Sequence, residues 1–119
     1  MTTTQKDILH TSTMPVIALR GLTIFPNVLI HFDVARDISI KSLETAMTTG
    51  SPVFLVAQKD ISVEVPDQRD LYVVGTISNV RQILRMPGDN VRVMVEGQAR
   101  GKLLRLLRTE PYLEGEILE

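Results

Sequence analysis

The chain has no cysteine and no tryptophan, and only 4% of its 119 residues are aromatic. Without thiols, disulfides and thiolate metal centres are excluded, and a reducing cytosol is permitted. Without tryptophan, and with Tyr72 and Tyr112 far apart in sequence, the chain offers few platforms on which nucleic-acid bases could stack. Formal net charge is −1, so the molecule as a whole presents no strong field to nucleic acid or to an anionic membrane. No apolar run approaches the roughly 20 residues that span a bilayer. The opening MTTTQKDILHTST lacks the apolar stretch of a signal peptide. Residues 1–13, Thr-rich and without periodicity, are expected to form a disordered tail, leaving 14–119 as one domain.

What is present is mostly strand. Val16–Leu19 is a short apolar run that ends at Arg20-Gly21, and Leu22–Phe25 stops at the turn pair Pro26-Asn27. Val28–Val34 follows as another strand. The one convincing helix comes next. Asp37 can cap it, and Ile40, Leu43 and Met47, with Ala46, give one apolar face that places Met47 in the core. Gly50 suits the left-handed residue that ends a helix, and Pro52 prevents continuation. Val53–Ala57 is continuously apolar, as in a strand buried on both faces. Asp60–Asp70, with Pro66 and four acids, is loop-like. Leu71–Arg100 reads as three strands with a tight turn at Pro87-Gly88-Asp89-Asn90. Gly75 within it suggests a bulge or bend. Val91, Val93 and Val95 alternate with Arg92, Met94 and Glu96, the period of a half-exposed strand. Leu103–Leu107 suits a strand or a short helix, and Tyr112–Leu118 alternates weakly. Many short strands, one helix and Gly/Pro turns point to a mainly β fold, a small curled sheet or barrel.

Few motifs propose chemistry. Gly97 and Gly101 enclose three residues, with Lys102 and then Leu103, whereas a P-loop needs four between its glycines and a Ser or Thr after the Lys. Nucleotide binding is rejected. Ser78 lacks the flanking glycines of a nucleophile elbow. His10 and His31 are too few and too separated for a metal site or a triad. The acids of 60–70 lack the alternating ligand loop of an EF-hand. No catalytic, cofactor or metal residue is therefore assigned.

Charge is more informative in its distribution. From 81 to 108 stand Arg81, Arg85, Arg92, Arg100, Lys102, Arg105 and Arg108 against Asp89 and Glu96, while Glu110, Glu114, Glu116 and Glu119 follow with no base. The basic stretch could hold RNA phosphates, but the shortage of stacking residues favours pairing with nearby acids. Ile61, Val63 and Val65 alternate with polar residues and suggest an edge strand able to accept an extended peptide. Met86 and Met94 suit adaptable apolar contacts. These five are the candidate substrate-peptide contacts.

The order of several short runs resembles the N-terminal, substrate-binding domain of the Lon family of ATP-dependent proteases. Met14-Pro15-Val16-Ile17-Ala18-Leu19-Arg20 is similar to the family's opening, and Phe25-Pro26 to its aromatic-proline turn. Arg36, Ser39, Ile40, Glu44 and Ala46-Met47 fit its helix, and Phe54–Lys59 the following strand. Val74-Gly75-Thr76, Pro87-Gly88 and Val91–Gly97 complete the pattern. Ala18 and His31 stand where the family usually has proline, and Ala35 where it usually has glycine. The resemblance implies a PUA-like curled β domain that is catalytically inert alone. It implies a bacterial, cytoplasmic parent with an AAA+ module that uses ATP and magnesium, and with a Ser-Lys peptidase, assembled as a homohexamer. The expected partners are misfolded, damaged or regulatory protein substrates and the remainder of the protease. No membrane and no nucleic acid are expected, and the fragment itself should be a monomer or weak dimer. A stand-alone adaptor and a PUA-like RNA-binding module are the alternatives.

Overall fold

A computed structural model of the chain describes residues 11–119; His10 and most of the expected tail lie outside that range. Thr11–Thr13, assigned to the tail from composition, instead open strand β1 (Thr11–Leu19). They pair with Leu118, Ile117 and Glu116 of β6 (Leu113–Leu118). Threonine's β-branched side chain suits an exposed strand, so a polar, Thr-rich run need not mean disorder.

Between these ends run β2 (Leu29–Val34), helix α1 (Asp37–Thr49), β3 (Val53–Ala57), β4 (Val74–Arg85) and β5 (Val91–Arg108). The six strands make one sheet in the order β2-β5-β4-β3-β1-β6, and β6 also pairs with β5. Five strands therefore close a ring, and β2 lies outside it on β5. β1 and β3 are parallel, joined by a crossover that carries β2 and α1. The 71–100 stretch forms two long strands rather than three, turning at Gly88, whose φ of 77° needs glycine. Leu103–Leu107 continues β5 as strand.

Closure depends on β5, which is 18 residues long. Its first part pairs with β2 and β4, its last part with β6. An extra residue, Gln98, interrupts the β4–β5 register between Ile77/Ala99 and Ser78/Gly97. This bulge switches faces. Ahead of it, Val93 and Val95 pack with Ile17, Leu19, Ile24, Leu43 and Leu55. Beyond it, Leu103 packs inside the ring with Val16, Phe54, Leu113 and Ile117. One unbroken odd-numbered alternation thus feeds two cores.

Gly75 makes no bulge. A Cβ there would lie 2.5 Å from the Leu55 carbonyl oxygen and 2.6 Å from the Phe54 ring, so glycine is required for close approach. The helix also differs from expectation. Arg36 is its N-cap and makes no side-chain cap bond, while Asp37 is simply the first helical residue. Its buried face is Ser39, Ser42, Leu43 and Ala46, the spacing of one helical stripe. Met47 is 48% exposed, outside the core. Two serines hid the stripe. Ser42 is buried at little cost because its hydroxyl donates to the Val16 carbonyl at 3.0 Å, with the Ile38 carbonyl at 3.2 Å. Gly50 does end the helix, at φ 71°.

Candidate functional site

The five candidate contacts fall on two separate elements. Ile61, Val63 and Val65 form no edge strand; the segment is a compact turn. The Gln58 side-chain amide donates to the carbonyls of Asp60 and Val63, and the Asp60 carboxylate accepts from the backbone N–H and hydroxyl of Ser62. These local bonds take up the polar groups that a strand would offer a partner. They also hold the Asp60 carboxyl below its ordinary pKa, the Ser62 hydroxyl contributing most. Ile61 and Val65 remain well exposed, Val63 less so. Met86 sits at the β4–β5 turn, where its N–H donates to the Asn90 carbonyl. Met94 lies half-buried on β5 in a small apolar recess with His31, Gln82, Leu84 and Arg92.

A larger apolar surface lies elsewhere. Leu71 is fully buried, but Tyr72, Val73 and Val74 are each more than half exposed. The run is fixed on both sides. The Tyr72 N–H donates to the Ala57 carbonyl, and the Val73 carbonyl accepts from the Leu103 N–H. Tyr72 and Val74 line one cleft with Thr23 and Arg100, and Val74 lines a second with Arg100, Lys102 and Leu118. The Arg100 guanidinium stacks over Phe25 at 5.2 Å, and Phe25 is itself 52% exposed. Arg100 thus stacks on the exposed Phe25 ring and also lines the cleft that holds the exposed Tyr72 and Val74. The sequence did carry a signal for it. Leu71-Tyr72-Val73-Val74 is four consecutive apolar residues, more than a strand with one buried face can hide.

A third feature is a cleft of about 300 Å³ between the end of β1, the Phe32–Val34 end of β2 and the start of α1. Arg20 and Arg36 both line it. Arg36 spans it, donating to the Ala18 carbonyl at 2.6 Å and to Gln58 Oε1 at 2.7 Å. Burial lowers the pKa of Arg36, and the Arg20 charge lowers it further. Asp33, the one carboxylate among the described lining residues, is turned to Arg92, which donates to both its oxygens. That bond is the main reason its pKa is lowered.

The basic stretch is largely neutralised. Arg81 pairs with Glu96, Arg85 with Glu44, Arg92 with Asp33, Arg105 with Glu116 and Arg108 with Glu114. A phosphate backbone would have to displace these carboxylates, which weighs against an RNA surface. Ser78 is a buried strand residue, and Gly97 through Lys102 lie along β5, far from any P-loop geometry.

Residues 13–119 match the family described as the ATP-dependent protease La (LON) substrate-binding domain. The chain is 52% identical over 106 residues to the Lon protease of Clostridium acetobutylicum and 43% identical over 106 residues to that of Clostridioides difficile. Each alignment covers 89% of this chain and 14% of the relative. Lon protease 1 of Bacillus subtilis is 36% identical over 104 residues, 87% of this chain and 13% of that one. The chain therefore spans about one seventh of the length of these curated relatives. Among solved structures, the N-terminal domain of Mycobacterium avium complex Lon protease superposes with a TM-score of 0.66 at 14% identity, over 91% of this chain and 53% of that one. The Lon N-terminal domain protein from Xanthomonas campestris gives 0.68 at 16% identity, over 89% and 58%. At such identities the superpositions speak to the fold, a curled, mainly β domain with one α-helix among the described residues.

Proposed function

The chain belongs to the LON substrate-binding domain family, and we propose that it is the part of a Lon-like ATP-dependent protease that takes hold of polypeptide substrates. ATP, magnesium and a Ser-Lys peptidase centre would be supplied by the rest of the parent, a cytoplasmic homohexamer. Its substrates would be misfolded, damaged and regulatory proteins. The observation that carries this reading is the exposure of Phe25, Tyr72 and Val74, each of which stacks with Arg100 or shares a cleft with it. Exposed aromatic and aliphatic groups beside a cation suit short apolar segments of unfolded chains, which folded proteins keep inside. A single copy would bind weakly, and several copies in one assembly would multiply that affinity through effective concentration.

The test is fluorescence anisotropy of a labelled, permanently unfolded polypeptide, with its folded form and an RNA oligonucleotide as controls. Selective binding of the unfolded chain is expected, weakened at least five-fold by Tyr72→Ser combined with Val74→Thr. Both positions are exposed, so the fold should be retained. Binding of RNA alone, or of nothing at high domain concentration, would overturn the proposal.

A further inference from the structure

Among the described residues β2 is the outermost strand of the sheet and pairs with β5 alone. Its free edge can be resolved to individual backbone groups. The Gly97 N–H donates to the Val28 carbonyl at 2.9 Å, and the same register sets Leu29 opposite Glu96 and Val34 opposite Val91. Hydrogen-bonded and non-bonded pairs alternate along an antiparallel ladder. Ile30, Phe32 and Val34 therefore bond to β5. The N–H and C=O groups of Leu29, His31 and Asp33 point the other way, to the open edge. Proteins usually blunt such an edge with lysine, proline or a covering loop. LIHFDV holds no lysine and no proline, Leu29 is 60% exposed, and the Asp33 carboxylate is drawn across to Arg92 rather than guarding the edge.

The cleft of Arg20 and Arg36 adjoins the Phe32–Val34 end of this edge. Its charge is unbalanced. Glu64 stands 3.7 Å from Arg20 but is 78% exposed, and Asp33 is committed to Arg92. Leu22 and Phe32 line the cleft beside the two guanidiniums. An incoming carboxylate next to an apolar side chain would complement this lining.

We propose that the outer edge of β2 takes an extended polypeptide segment as an added strand, and that the Arg20–Arg36 cleft selects segments with an acidic residue among apolar ones. This rests on the reading that the domain holds unfolded polypeptide, and supplies a backbone-directed mode that is indifferent to most of the sequence bound. A second copy of the chain fits less well, because the only carboxylate that its β2 could offer is Asp33, already tied to Arg92.

The probe is a fluorescein-labelled ten-residue peptide of alternating valine and threonine with one central aspartate and blocked termini. His31→Pro removes one outward N–H without touching the β2–β5 ladder, a placement an edge strand tolerates; His31→Ala removes only the side chain. Wild type and His31→Ala should bind alike, and His31→Pro at least ten-fold more weakly. Should His31→Pro unfold, the same peptide N-methylated on alternate amides decides, with the same loss expected against wild type. Replacing the aspartate by lysine should cost at least five-fold. Equal binding by a folded His31→Pro, or of the N-methylated peptide, would sink strand addition while leaving substrate holding intact. Failure of wild type to bind either this peptide or the unfolded polypeptide would remove both. Dimerisation of wild type but not of His31→Pro in sedimentation velocity would give the edge to a second copy and overturn the proposal.

Discussion

Ser78 is fully buried, and its hydroxyl has no partner among the described residues. An unpaired buried hydroxyl carries its desolvation cost without return, so Ser78→Ala should leave stability unchanged or raise it by about 1 kcal/mol, read from urea unfolding. Gly97 predicts the opposite. A Cβ there would lie 2.2 Å from the Phe25 carbonyl oxygen, a backbone atom that cannot step aside. Gly97→Ala should cost about 3 kcal/mol and displace Phe25 from beneath Arg100. The sequence shows glycines inside strand-like runs, but nothing in it says what approaches them. Gly75 invites a bulge on those grounds, whereas the requirement comes from Phe54 and Leu55 on the neighbouring strand. Met47 illustrates the same limit: its spacing fits the apolar stripe, yet Ser39 and Ser42 occupy the buried face because Ser42 finds a carbonyl on β1.

At the level of elements, the helix supplies a direct check. Met47→Lys should change stability in thermal unfolding little, within about 0.5 kcal/mol, because the side chain is already half in water; a loss of several kcal/mol would return it to the core. The β2–β5 pair should respond to acid. A carboxyl whose pKa is lowered on folding stabilises the folded state above the usual carboxylate range and loses that contribution as pH falls through its folded value. Asp33 is such a group, held down chiefly by its bond from Arg92. The protection of amides along Leu29–Val34, taken relative to their intrinsic exchange rate at each pH, should therefore fall from pH 7 to pH 3 more than that along β3, and Asp33→Asn should flatten that difference. The elements themselves were largely legible: the helix, its glycine stop, β3, the Gly88 turn and the valine alternation all follow local rules. The supposed edge strand at Ile61–Val65 was not, because alternation alone cannot show that Gln58 and Asp60 will fold the segment onto itself. The true edge, β2, looked like any half-apolar strand until its neighbours were known.

For the whole molecule, composition and patterning pointed to a curled β domain, and the ordered runs from Met14 to Gly97 pointed to its family. Which strands close the ring was beyond them. Closure arises from the Gln98 bulge and from pairings between residues distant in sequence, which leave no periodic trace. The apolar surface at Tyr72–Val74 is a product of the same closure, since the ring uses Leu71 inside and strands its neighbours outside. The pairing of β1 with β6 also has a consequence in time. Thr11 meets Leu118, so β1 leaves the ribosome roughly a hundred residues before β6 and waits for it before gaining its second neighbour. Until then Met14 and Val16 lack Leu113 and Ile117, and the nascent chain carries an open seam. Pairings so remote in sequence form slowly. During its own synthesis the domain is therefore itself an unfinished chain with an apolar seam in water.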